Sequence, residues 1–292
     1  MRVTVGEPLS LAHRNALAPL LAQRWSDDDP PEATLADPWF ANLYLFRAAH
    51  DWRWHRGPWP CIAGHTYDGT RALLPLFALH ETPAGAMREL LVGHDAFGPL
   101  SAAQAARLDA TRWRLSHSRD EAEYLYPADR FRRYSGRLLQ KKRNLVKQLL
   151  AESAVEARPY TPTLASQAEP VLEAWMDDKA KRPGEADDAP CREALVLSDR
   201  LGLEGTLFCI EGRTAGFLLA EVLRPGVMVM RFAKGLNAYK GLYQHMFQQF
   251  CLTRPGLQWL NFEQDLGLAN FRQTKLSYAP TALLDKFFAR PV

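Results

Sequence analysis

The chain has 292 residues, of which 47% are hydrophobic and 24% charged, a composition typical of a globular protein with one large or two smaller domains. No segment approaches the roughly 18 consecutive apolar residues that a membrane-spanning helix needs. The first residues lack the basic and then apolar pattern of a signal peptide, so we expect a cytoplasmic protein. Peripheral association with the inner membrane face is compatible with this expectation.

Cysteine and histidine spacing indicates neither a disulfide framework nor a metal site. Cys61, Cys191, Cys209 and Cys251 lie far apart without a CxxC pair, which is typical of reduced, buried thiols. The eight histidines are scattered, with no HExxH spacing. We therefore predict no bound metal and no tightly bound cofactor.

Hydrophobic periodicity and turn residues predict the elements of the first half in chain order. They are a strand over Arg2–Val5, helices over Leu9–Trp25 and Trp39–Ala49, strands over Cys61–Tyr67, Arg71–Phe77 and Met87–Val92, a helix over Ser101–Thr111, a strand over Trp113–His117, and a helix that begins near Pro127.

The predicted helix after Pro127 is strongly basic. Between Arg130 and Lys147 there are eight basic residues and no acidic one. Arg133, Arg137 and Lys141 recur at a spacing of four, which would place them on one helix face. Such a face is either simply solvated or a contact surface for the phosphates of tRNA or an anionic membrane.

The second half repeats a similar order of elements. Strands are predicted over Ala154–Tyr160, Thr206–Ile210, Thr214–Val222, Val227–Ala233, Gln258–Glu263 and near Leu283, and helices over Leu164–Asp178, Cys191–Leu201, Gly241–Thr253 and Gly267–Lys275. This order favours a mixed α/β fold in which helices flank mostly antiparallel sheets. We predict two tandem halves, residues 1–153 and 154–292, of which the second is catalytic.

Two motifs near the C-terminus resemble those of a known family. Asn261–Gly267 and Phe271–Pro280 look like the C-terminal signature of the phosphatidylglycerol lysyltransferase C-terminal domain family. Supporting segments lie upstream in the expected order: Phe40–Tyr44, Tyr124–Tyr126, Gly136, Lys142–Asn144, Gly216–Phe217 and Lys240–Tyr243. The resemblance covers about residues 37–288.

This resemblance implies two tandem GNAT-like folds and an aminoacyltransferase or acyltransferase activity. The family's best-known members move an aminoacyl group from charged tRNA to a hydroxyl of phosphatidylglycerol. They carry a large membrane-embedded segment before the catalytic domain, and this sequence shows no such segment. The acceptor, a hydroxyl or an amine, therefore stays open, with tRNA, an anionic lipid surface and a small-molecule acceptor as candidate partners.

The segment before Gly267 contains the candidate catalytic carboxylates. In a strand, Asn261, Glu263 and Asp265 would share one face and line a cleft. Acyl transfer needs a base for the attacking hydroxyl or amine, so Glu263 or Asp265 is predicted to act as base or to position the acceptor. Asp265 fits the N-cap of the following helix equally well.

Five residues are candidates for donor binding. Lys240 and Gly241 precede a helix whose N-terminus suits a phosphate, and Tyr243 is either a proton donor to the leaving group or a packing residue. Arg272 and Lys275 share a helix face and could hold a donor phosphate or pair with the carboxylates. The RxxGxG/A pattern of coenzyme A sites is missing, since Asn237–Leu242 replaces it.

The remaining predicted contacts concern the acceptor or a phosphate group, namely Asn261, Tyr278, Arg137, Lys141, Lys142 and Arg143. Aminoacyl-tRNA and acyl-CoA are the two candidate cosubstrates. The alternatives to aminoacyl transfer are an acyl-CoA-dependent N-acyltransferase of a small amine and a non-catalytic binding protein with the same fold.

Overall fold

The computed structural model describes residues 6–26 and 28–292, so the predicted strand Arg2–Val5 lies outside the described residues. The chain forms two compact units. The first comprises residues up to Glu123 together with Gln264–Gly267 and Leu283–Val292, and the second comprises Tyr124–Glu263 and Leu268–Ala282. The division at residue 153 concerns two similar halves of the sequence, and it stays a prediction.

A seven-stranded sheet forms the centre of the first unit. Numbered in chain order, its strands are β1 (Glu7–Pro8), β2 (Arg53–His55), β3 (Cys61–His65), β4 (Arg71–Pro75), β5 (Ala96–Leu100), β6 (Trp113–Ser116) and β14 (Phe287–Pro291). The strand order is β1-β2-β3-β4-β5-β14-β6, and only β4 and β5 pair in parallel. Its helices are α1 (Arg14–Ala22), α2 (Phe40–Leu45), α3 (Arg47–His50), α4 (Ala84–Leu90) and α5 (Ala102–Ala106).

The predicted strand Met87–Val92 is wrong, because this segment lies largely in α4. Met87 and Leu90 are buried and three residues apart, a spacing that suits a helix as well as an apolar strand. The strand that pairs with β4 is β5, and all five of its residues are buried. A strand covered on both faces shows no alternation of polar and apolar residues, which explains why periodicity did not reveal it.

The second unit is built on another seven-stranded sheet. Its strands are β7 (Glu123–Pro127), β8 (Val155–Pro159), β9 (Leu203–Ile210), β10 (Arg213–Arg224), β11 (Val227–Gly235), β12 (Trp259–Asn261) and β13 (Ala282–Leu284). Its helices are α6 (Ala128–Arg133), α7 (Gln140–Glu152), α8 (Ala165–Asp178), α9 (Asp188–Leu201), α10 (Leu242–Leu252) and α11 (Ala269–Leu276). The strand order is β13-β7-β12-β11-β10-β9-β8, with β9, β10 and β11 as an antiparallel meander.

The basic segment is two helices rather than the one predicted. α6 ends at Arg133, and the chain turns at Tyr134 (φ 44°) and Gly136 (φ 81°) before α7 begins. Tyr134 is fully buried and donates its hydroxyl to the carbonyl of Gln244 at 2.9 Å, so packing in the core fixes this break. As a result, Leu138 is 82% exposed, and Arg133 and Lys141 lie on different helices instead of sharing one helix face.

Across residues 6–26 and 28–292, none of the helices is both long and apolar enough to cross a membrane. The longest helices, α8 and α9, have 14 residues each.

A buried ammonium group joins four distant segments of the first unit. Lys286 Nζ lies 2.5 Å from Asp37 Oδ2, 2.9 Å from Gln264 Oε1 and 3.1 Å from Glu123 Oε1, and Glu123 Oε2 accepts a hydrogen bond from the Ala36 amide at 2.8 Å. Burial by itself lowers the pKa of Lys286, but Asp37 and Glu123 outweigh it, so the pKa is raised. The ammonium group therefore stays charged and holds these segments together.

Replacing Lys286 with Met should strongly destabilise the protein, because it leaves two carboxylates without their buried cation. The expected loss is about 3–5 kcal/mol in the free energy of unfolding, measured by urea denaturation. Lys147→Met, at an exposed position of α7, is the matched control and should be close to neutral. Equal stability of the two variants would contradict the anchoring role of Lys286.

Replacing Gly241 with Ala should destabilise the start of α10. Gly241 has φ 91°, and an added Cβ would lie 2.3 Å from the Leu145 carbonyl oxygen. The backbone conformation alone should cost about 1–3 kcal/mol, which a lowered melting temperature would report. Gly256→Ala is the control, because nothing lies within 4 Å of an added Cβ there.

Candidate functional site

Two parallel strands of the second unit separate where the predicted site lies. β11 and β12 pair from Val227 opposite Trp259 to Val229 opposite Asn261, and β12 then ends while β11 continues to Gly235. The chain after β12 remains bonded on its other side, where the Phe262 amide donates to the Tyr124 carbonyl at 2.9 Å. The sheet is therefore open between the second half of β11 and the segment that follows Asn261.

A buried ion cluster occupies this opening. Arg231 of β11 donates to Glu221 Oε2 of β10 from Nη2 at 2.6 Å and from Nε at 3.0 Å, and its Nη1 lies 2.5 Å from Glu263 Oε1. The Arg231 side chain is 1% exposed and that of Glu221 9%, whereas that of Glu263 is 22% exposed. Burial lowers the pKa of Arg231, but the two carboxylates outweigh it and raise it. Glu263 is the member of this cluster that reaches the surface.

Local contacts fix Glu263 in an unusual backbone conformation. Its φ is 56°, and its amide donates to Asn261 Oδ1 at 2.7 Å. Lys275 Nζ donates to the carbonyls of Phe262 at 2.6 Å and Glu263 at 3.2 Å. A left-handed conformation at a residue other than glycine costs about 1–3 kcal/mol and persists only when the surroundings impose it. Asn261 and Lys275 therefore support Glu263, and the structure brings these three predicted residues together.

Asp265, the other predicted carboxylate, belongs to the first unit and is fully buried. Its Oδ1 accepts from the Gly267 amide at 2.9 Å, and its Oδ2 pairs with Arg119 at 3.3 Å. The helix prediction is off by two residues, because α11 begins at Ala269 with Leu268 as its N-cap. Asp265 thus stabilises the turn before the helix instead of capping it.

Three predicted donor residues lie at the start of α10. Lys240 is exposed, and Gly241 is buried at the N-cap of the helix. The Tyr243 hydroxyl accepts from the Gly235 amide at 3.0 Å and donates to the Gly235 carbonyl at 3.3 Å. Burial raises the pKa of Tyr243 to about 12, although the bond to Gly235 works in the opposite direction. This hydroxyl is therefore held by the end of β11.

The predicted phosphate contacts separate into two groups. Arg137 and Lys141 are exposed and line a shallow groove of about 490 Å³ along the start of α7. Lys142 lies 4.1 Å above the ring of Tyr278, and Arg143 donates to the Tyr134 carbonyl. Of these four residues, Arg137 and Lys141 line the groove and Lys142 and Arg143 do not.

Tyr278 and Arg272 complete the set of predicted residues. Tyr278 is 2% exposed, and its hydroxyl accepts from Gln244 Nε2 at 2.9 Å. Burial, the largest influence, raises the pKa of Tyr278. Arg272 is half-buried on α11, one turn before Lys275.

Sequence patterns missed Arg231, Glu221 and another buried cation of β11, Lys234. Lys234 Nζ lies 2.6 Å from Asp187 Oδ1 and 3.5 Å from the centre of the Trp175 ring. The sequence feature that could have revealed them is the pair of basic residues within the apolar segment of β11. Charged residues in a buried strand indicate that oppositely charged partners lie nearby.

Within residues 6–26 and 28–292, no three His, Cys, Asp or Glu side chains are grouped so that they could hold a metal ion.

Comparison with solved structures identifies the fold. A conserved protein from Bacteroides thetaiotaomicron has a TM-score of 0.80 and 19% identity, with 99% of this chain and 100% of that chain covered. The C-terminal domain of a protein designated a lysylphosphatidylglycerol synthetase, from Agrobacterium fabrum, has a TM-score of 0.62 and 14% identity over 96% and 92%. A tandem GNAT protein from the clavulanic acid biosynthesis pathway has a TM-score of 0.51 and 12% identity over 98% and 97%. These similarities confirm the predicted mixed α/β architecture of two GNAT-like folds.

Comparison with curated protein sequences gives no match. The family model described as phosphatidylglycerol lysyltransferase, C-terminal, matches residues 34–290, which is most of the chain. The chain therefore belongs to the phosphatidylglycerol lysyltransferase C-terminal family, and it is an acyl or aminoacyl transferase.

Proposed function

We propose that this transferase moves an aminoacyl group from aminoacyl-tRNA to a hydroxyl or amine acceptor, and that phosphatidylglycerol is an acceptor. The observation that carries the proposal is the partly exposed carboxylate of Glu263, which Arg231 holds beside the separated strands. An aminoacyl donor carries an α-ammonium group next to its reactive carbonyl, and Glu263 offers that group an opposite charge.

The same charge argues against an acyl-CoA donor. A simple acyl chain has no positive charge, so a partly exposed carboxylate next to it would be desolvated without compensation. The missing RxxGxG/A pattern is consistent with this preference. At the start of α10, the Gly241 Cα is also packed against the Leu145 carbonyl, which limits access on that side of the helix N-terminus.

In the proposed reaction, the acceptor oxygen attacks the carbonyl carbon of the aminoacyl ester. The new C–O bond forms, the bond to the ribose oxygen of the tRNA breaks, and the acceptor proton ends on that ribose oxygen. Glu263 is proposed to hold the α-ammonium group and so to orient the carbonyl. The ion pair with Arg231 fixes the orientation of the Glu263 carboxylate, which suits this role.

The other predicted donor residues take supporting roles in this proposal. Lys240 and Arg272 are proposed to contact donor phosphates. Lys275 positions Glu263 through the two carbonyl groups it binds, and Tyr243 positions the end of β11 through Gly235. The contacts of Asp265 within its own turn favour a structural role over a catalytic one.

Two surface features support an amphiphilic, anionic acceptor. Arg137 and Lys141 line the groove on α7 and offer positive charge to a lipid phosphate. No residue of α11 is buried, and Leu268, Phe271 and Leu276 are 46%, 42% and 47% exposed. Exposed apolar side chains and a basic groove are the two features that a molecule with acyl chains and a phosphate would contact.

The donor preference can be tested by incubating the full chain with phosphatidylglycerol vesicles and either a labelled aminoacyl-tRNA pool or labelled acetyl-CoA. We expect label in the lipid fraction only from the tRNA pool. Transfer from acetyl-CoA to amines without transfer from tRNA would overturn the proposal and establish the acyl-CoA alternative.

Glu263→Gln should reduce kcat/KM for aminoacyl-tRNA by about 100-fold, because it removes the charge that binds the ammonium group. A change mainly in KM supports binding of the donor, whereas a change mainly in kcat supports a base. Glu152→Gln, at the exposed end of α7, is the control and should retain wild-type kinetics. Wild-type kinetics in Glu263→Gln, with an unchanged melting temperature, would remove Glu263 from the mechanism.

A further inference from the structure

The first unit contains a cavity, lined by apolar and charged side chains, that the proposed transfer reaction does not use. Its internal volume is about 40 Å³, enough for a few water molecules or a head group of similar size. Three charged residues line it, Asp37, Glu121 and Lys286, together with the aromatic side chains of His50, Trp52 and Tyr67. All of its lining residues belong to the first unit.

The lining of the cavity has more acidic than basic residues. Burial raises the pKa of the Glu121 carboxyl and Lys286 opposes this effect, so a cation bound beside Glu121 would favour its ionised form. The Lys286 ammonium group has three N–H groups, and oxygens of Asp37, Glu123 and Gln264 lie within reach of them. None is left to bind a ligand in the cavity. The carboxylate of Glu121 has no ion pair or hydrogen bond with any described residue. Asp37 and Glu121 against Lys286 leave a formal charge of −1 on the lining. An anionic ligand is therefore disfavoured.

The aromatic residues add a second and independent feature. Trp52 is 9% exposed, and its indole N–H has no acceptor among the described residues. A buried donor without a partner costs free energy, which a ligand oxygen or a water molecule would recover. The ring centres of His50 and Tyr67 are 4.6 Å apart and perpendicular, and His50 Nδ1 lies 2.7 Å from the His65 carbonyl oxygen. Aromatic rings of this kind also attract organic cations.

We propose that this cavity binds the ammonium group of a small primary amine that also carries an oxygen acceptor. Glu121 and Asp37 bind the ammonium group, and Trp52 donates to the oxygen. A metal ion is a poorer fit, because the described residues contain no group of three ligating side chains. The site is distinct from Glu263 and stands whether or not the aminoacyl donor is the one proposed above.

The test is calorimetric titration of the full chain with ethanolamine at neutral pH, with ethylene glycol as the uncharged analogue. We expect saturable binding of ethanolamine and none of ethylene glycol. Glu121→Gln keeps the shape of the side chain, removes its charge, and should weaken binding by about tenfold or more. Glu81→Gln, an exposed residue of the same unit outside the cavity lining, is the matched control and should bind normally.

A second variant separates the two contacts. Trp52→Phe removes the indole N–H, so it should weaken the binding of ethanolamine. The binding of methylammonium, which has no oxygen, should be unaffected. Absence of ethanolamine binding, or equal affinities in Glu121→Gln and Glu81→Gln, would overturn the proposal and leave a water-filled cavity. Normal ethanolamine binding in Glu263→Gln would separate this site from the proposed donor site, whereas its loss there would count against a separate cavity.

Discussion

Removal of a cationic side chain from water is the constraint that organises this protein. A buried guanidinium or ammonium group is tolerated only when carboxylates and carbonyls surround it, because its desolvation costs several kcal/mol. Arg231 meets this requirement with Glu221 and Glu263, and Lys286 meets it with Asp37, Glu123 and Gln264. Each cation joins segments that are distant in sequence, so each decides which loops meet.

The position of Glu263 links the burial of Arg231 to the proposed function. β12 stops pairing with β11 after Asn261, and the ion pair between Arg231 and Glu263 then links the chain to β11 across the opening. The ion pair, together with Asn261 and Lys275, holds a left-handed residue at the edge of the opening. The outcome is a partly exposed carboxylate with a fixed orientation, which is the arrangement that an ammonium-bearing donor requires.

The parts of the fold that periodicity predicted well are those whose local pattern agrees with their environment. The meander of β9, β10 and β11 is separated by clear turns at Glu211–Gly212 and Pro225–Gly226, and α8 and α10 bury the residues that their helical spacing indicates. The failures are equally specific. β5 is buried on both faces, and the break between α6 and α7 follows from Tyr134, whose side chain is placed by the aromatic core around Phe131 and Tyr278.

By itself, the sequence determined the family, the mixed α/β architecture and the segment in which Glu263 lies, because motifs and turn residues act over short distances. Tertiary structure alone decided that Arg231 binds Glu263, that Asp265 belongs to the other unit, and that Lys286 meets Asp37. The physical reason is that the sequence around a charged residue does not indicate which distant residue will pair with it. Partners separated by 32 and 249 positions are chosen when the folded chain removes the cation from water.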